Sequence, residues 1–202
     1  MGQPPHRGKS VMIDDAFPHR WIAEILKSAP LITPARHFTY PHKIHGEEEA
    51  LARGALQLLV RPAEGGEFLA TCALGFSDVT MPSGVFSCPN PNELCAVAGG
   101  YAYIIDTLHP ENSTHVPLKP AVHVHTLPEH QLLVFAGFHT ILAWGAHGEA
   151  WHTGKLSWEG IRITGVEGNT LHGTGWNLLT DQERPFTVDL LTGHHEGGGW
   201  KL

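Results

Sequence analysis

The hydrophobic pattern of the chain changes rhythm at Ala55. Beyond it, short apolar runs alternate with turn-forming clusters. From about Glu129 to Gly193 one run follows another, with glycines at the breaks: Gly145 and Gly148, Gly154, Gly160, Gly165 and Gly168, Gly173 and Gly175. Runs of this kind, bounded by Gly, Pro, Asn and Asp, read as strands. Leu56 to Val60 ends at Pro62, and Glu64-Gly65-Gly66-Glu67 turns the chain into Phe68 to Leu74. Leu94 to Val97 and Tyr101 to Asp106 flank Gly99-Gly100, and Gln131 to Phe138 and Thr140 to Trp144 surround Gly137. Lys155 to Trp158 and Ile161 to Val166 flank Glu159-Gly160, a two-residue turn that suits a hairpin. Thr170 to Trp176 and Pro185 to Leu191 complete the series.

Turn signals at intervals of about 8–12 residues predict an all-β sandwich or barrel. The helix–strand alternation of a doubly wound sheet is absent, and no long internal repeat marks a full propeller. The expected fold is mainly β, an antiparallel β-sandwich or barrel-like meander with one short N-terminal helix. That helix falls at about 16–28, where Trp21, Ile22, Ile25 and Leu26 share one helical face and Pro30 and Pro34 stop it. Glu47 to Ala52 reads as a short helical turn or an exposed linker. The expected organisation is a loose leader over 1–15, a single domain over 16–193 and a flexible Gly-rich tail over 194–202.

Composition agrees with this picture. The 202 residues are 42% hydrophobic and include 23 Gly and 15 Pro, which suits one domain of many strands and tight turns. The net charge is -7 and the 13 Lys and Arg are scattered, so no basic stripe addresses nucleic acid. No apolar run reaches the ~20 residues of a membrane span, and Met1 to Ser10 lacks the apolar core of a signal peptide. Cys72, Cys88 and Cys95 have neither zinc-knuckle nor disulfide-framework spacing. Reduced thiols in a cytoplasmic protein are the expectation.

Three constellations carry candidate chemistry. In His123-Val-His125-Thr-Leu-Pro-Glu129, two His at i and i+2 on a strand project from one face and a carboxylate follows. Imidazole and carboxylate together suit a divalent transition metal. The spacing resembles the first metal motif of the cupin β-barrels, departing from it at Pro117 and Pro128. That resemblance implies a metal-dependent enzyme with His123, His125 and Glu129 as ligands and a fourth His from a later strand. The second constellation is aromatic: Trp144, Trp151, Trp158 and Trp176 lie near strand ends, where exposed rings stack on sugars or anchor a protein partner. The third is acidic, with Asp181, Glu183, Arg184 and Asp189 around Pro185 and Phe186, and would suit acid–base work if its carboxylates converged.

The sequence has no GxSxG elbow, Walker A loop or HExxH helix. Cys72 and Cys95 sit in apolar strands, where a thiol is inert. The leading expectation is therefore a non-catalytic β-domain, without a cofactor, that binds a protein or carbohydrate partner. The alternative is the cupin-like metal enzyme.

Overall fold

The computed structural model describes residues 12–28, 30, 34–41 and 50–200. It opens with a short strand, β1 (Met12–Asp14). A first sheet follows from β2 (Trp21–Leu26), β3 (His37–Tyr40), β4 (Ala55–Pro62) and β5 (Phe68–Ala73), in the order β2-β4-β5-β3. The second takes β6 (Gly84–Ser87), β7 (Glu93–Ala98), β8 (Tyr101–Asp106) and β9 (Ser113–His115), with β1 paired parallel to β6 at its edge. The third is a meander of β10 (His123–Leu127), β11 (Leu132–Ala136), β12 (Ile141–Gly145) and β13 (Gly148–His152). The fourth repeats that plan with β14 (Ile161–Glu167), β15 (Thr170–Asn177), β16 (Gln182–Asp189) and β17 (His195–Gly197).

The fold is thus mainly β and largely antiparallel, but it is a succession of open sheets rather than a closed barrel. Each sheet buries a face against the next. Leu58, Val60 and Phe68 of the first sheet meet Leu94, Ala96 and Tyr103 of the second. Cys95, Val97 and Ile104 on the other face of the second meet Leu133, Phe135 and Leu142 of the third. Val134, Ala136 and Ile141 of the third then meet Ile161, Leu171 and Phe186 of the fourth. Three successive cores join four layers, as neighbouring blades do in a propeller.

Trp21–Leu26 is a strand, which corrects the helix expected over 16–28. The six residues Trp-Ile-Ala-Glu-Ile-Leu satisfy both periods. As a strand they put Trp21 and Ala23 into the first core and turn Ile22 and Glu24 outward. They also pair with β4 from Trp21–Pro62 to Leu26–Gln57, so the backbone hydrogen bonds of β4 are met on both sides. Strand β1 falls inside the expected leader and β17 inside the expected tail. Residues 1–11 of that leader and 201–202 of that tail lie outside the described residues. So do Glu47 to Glu49 of the Glu47–Ala52 segment, whose end joins a 3-10 turn over Ala50–Arg53.

The three cysteines are free and buried, and burial pushes their thiols well above the ordinary range. Among the described residues no helix is long and apolar enough to cross a membrane.

Candidate functional site

Strand β10 carries His123 and His125 on the face it shares with Val134 and Ala136, toward the fourth sheet, while Val124 turns back to the second. The two rings lie 6.3 Å apart between centroids. Burial, and then the proximity of His123, hold the His125 imidazole below its usual value. Pro128 ends the strand and opens a 3-10 turn, Pro128–His130, which carries Glu129 away from the strand. His130 Nε2 donates to the Gly168 carbonyl at 2.8 Å, fixing the turn against the fourth sheet. Glu129 lines a groove there with Leu127, His130 and Val166. Among the described residues no three His, Cys, Asp or Glu side chains are grouped to hold a metal ion. The structure brings His123 and His125 together and leaves Glu129 at the other end of the strand.

The tryptophans divide. Trp144 and Trp151 are buried. Trp144 Nε1 donates to Glu93 Oε2 at 3.0 Å and so ties the third sheet to the second. Trp151 Nε1 donates to the Leu190 carbonyl at 2.8 Å and ties the third to the fourth. Trp158 stacks on Trp200 at 3.9 Å, and Lys155 Nζ lies 4.0 Å from the Trp200 ring. Trp176 is half-buried on the outward face of β15 and edges a recess considered below.

The acidic set does not converge. Glu183 and Asp189 stand at opposite ends of β16, about 20 Å apart at the rise of an extended strand. Asp189 Oδ1 is also engaged by Thr192 Oγ1 and the amides of Leu191 and Thr192.

A group of exposed apolar side chains lies elsewhere among the described residues. A cleft of about 600 Å³ is lined by Met12, Phe76, Val79, Met81 and Phe86, with Val122 and His123 at its far side. Val79 is 90% exposed, Met12 51% and Phe76 41%; the neighbouring Ile13 is 45% exposed. The loop between β5 and β6 that displays Phe76, Val79 and Met81 is fastened at both ends. Gly75 and Phe76 amides donate to the Ala98 and Gly99 carbonyls at 3.0 and 2.9 Å. Gly99 N donates to Ser83 Oγ at 2.9 Å, and Gly100 N to the Pro82 carbonyl at 3.0 Å. At the tip, Asp78 Oδ1 accepts from both the amide and the hydroxyl of Thr80 at 2.8 Å, which holds the Asp78 carboxyl below its usual range. Gly99 has φ +54°, and a Cβ there would strike the Phe76 carbonyl, so the close crossing of loop and sheet requires glycine. Sequence analysis passed over this segment. The signal was present: Phe, Val and Met between Gly75 and Pro82, in a segment that is ordinarily polar.

On the outward face of the fourth sheet, a smaller recess of about 230 Å³ is lined by His123, Glu159, Ile161, Arg162, Thr174, Trp176 and Glu183. Arg162 Nη2 donates to Glu183 Oε1 at 2.6 Å and Thr174 Oγ1 to Glu183 Oε2 at 2.9 Å. His123 borders both recesses. The chain matches no family model, and a search of curated proteins finds no significant similarity.

Proposed function

We propose that the protein is a non-catalytic binding domain whose apolar cleft receives an extended segment of a protein partner. The observation that supports this most is Val79, almost fully exposed at the tip of a loop whose base and tip are both tied by hydrogen bonds. An apolar side chain held rigidly in water is a standing cost to a monomer; it stabilises a complex, because no ordering of the loop remains to offset the burial. Met12, Phe76 and Met81 surround it, and aromatic and Met side chains are the adaptable anchors of such surfaces.

The extended form of the partner follows from β1. Among the described residues it ends its sheet, and it borders the cleft through Met12. A strand laid along that edge would gain main-chain hydrogen bonds while every second side chain enters the cleft. Selection from a displayed random-peptide library tests the reading. Peptides with apolar residues at alternate positions are expected on the wild-type protein, and Val79→Asp is expected to weaken them about tenfold or more. Equal enrichment on both proteins, or none on either, would overturn it.

A further inference from the structure

We infer that the recess on the fourth sheet is a binding site for a neutral saccharide ring, independent of the apolar cleft. Three neighbouring strands build it in register. Arg162 on β14 faces Thr174 on β15, and Trp176 on β15 faces Glu183 on β16. Alternate positions of a strand share a face, so Thr174 and Trp176 point the same way and bring Arg162 and Glu183 to either side of them. Glu159 enters from the turn before β14, and its carboxylate makes no hydrogen bond or ion pair among the described residues.

The chemistry of the lining selects the ligand. Carboxylates only accept hydrogen bonds and a guanidinium only donates them. A ligand that satisfies Glu159 and Arg162 together must do both from neighbouring atoms, as a hydroxyl does. Two carboxylates against one guanidinium give the acidic and basic side chains of the lining an excess of negative charge, which disfavours phosphate and carboxylate ligands. A bare cation would meet Arg162 as a like charge. Trp176 adds apolar surface on which the C–H face of a ring can lie. A volume of about 230 Å³ is below the ~300–1,000 Å³ of pockets for drug-sized molecules and has room for one ring.

The test is calorimetric titration and ligand-observed NMR of the intact protein with maltotriose, cellotriose, mannotriose and chitotriose. At least one trisaccharide is expected to bind saturably. Glu159→Gln and Glu183→Gln are expected to weaken it about tenfold each, and Trp176→Ala to abolish it. Val79→Asp, which disables the cleft, is expected to leave sugar binding unchanged. Failure of all four sugars to bind overturns the inference, as does binding that survives Trp176→Ala or Glu159→Gln. Should Trp176→Ala fail to fold, the exposed Glu159 decides the matter alone.

Discussion

In the second and third sheets the inner strands β7, β8, β11 and β12 have no solvent face. Leu94 and Cys95 are adjacent on β7, point to opposite sides and are both fully buried, one in each flanking core. Leu133 and Val134 on β11 do the same one layer on. In the fourth sheet the same alternation separates core from water. On β15, Leu171, Gly173, Gly175 and Asn177 are buried, while His172, Thr174 and Trp176 are half-exposed. The middle layers therefore read as unbroken apolar runs and the end layer as a polar–apolar alternation. A sheet buried on both sides has no surface left for chemistry. The candidate sites accordingly sit on the outward face of the fourth sheet and on the loop that leaves the first.

The strongest way to break this comparison is to remove volume from each kind of layer. Phe135→Ala in the third sheet is expected to cost about 3–5 kcal/mol, as a large side chain lost from a closed core. Thr174→Ala on the outward face of the fourth is expected to cost no more than ~1 kcal/mol. Urea unfolding measures both, and similar midpoints would end the distinction between layers. The ties between layers come next. Trp144→Phe keeps a six-membered aromatic ring and strips Glu93 Oε2 of its donor, in a place where burial already pushes that carboxyl up. A loss of about 1–3 kcal/mol is expected, seen as a lower thermal midpoint. The smallest effect is protonic, at the edge of the core between the third and fourth sheets. His125 titrates below its unfolded value near 6.5, so the unfolded chain binds the extra proton first. Its contribution to stability is complete above pH 6.5 and is lost as pH falls through the folded value. His125→Gln is expected to flatten the pH dependence of unfolding between pH 7 and 5, and an unchanged slope would show that other groups set it.

The turns were the most legible part of the chain. Gly148, Gly160 and Gly168 all adopt positive φ at the reversals where the sequence put turns. The fold class followed from those reversals. A sandwich strand has one wet face, which is true of β15 but not of β11 or β12, because sequence shows the period of a strand and not what lies against each face. The segment Trp21 to Leu26 was ambiguous for a different reason: six residues are too few to separate the two periods, and its partner β4 decided the outcome. At the candidate recess, Trp176 and Glu183 were each visible as single residues. Their juxtaposition with Arg162 and Thr174 depends on the registers of β14 and β16, which no local pattern encodes.

The parallel seam between β1 and β6 has a consequence for how the molecule is made. Met12 lies beside Gly84, so the whole first sheet is a detour that leaves one seam and returns to it. Closing a detour of roughly seventy residues costs only slightly more than closing half that length, since the penalty grows with the logarithm of the span. A ribosome delivers the detour before the second lip of its own seam. The first layer thus has to wait for the β6 and β7 that will cover it, while a protease nick within the detour would leave both new ends fastened to the same neighbour.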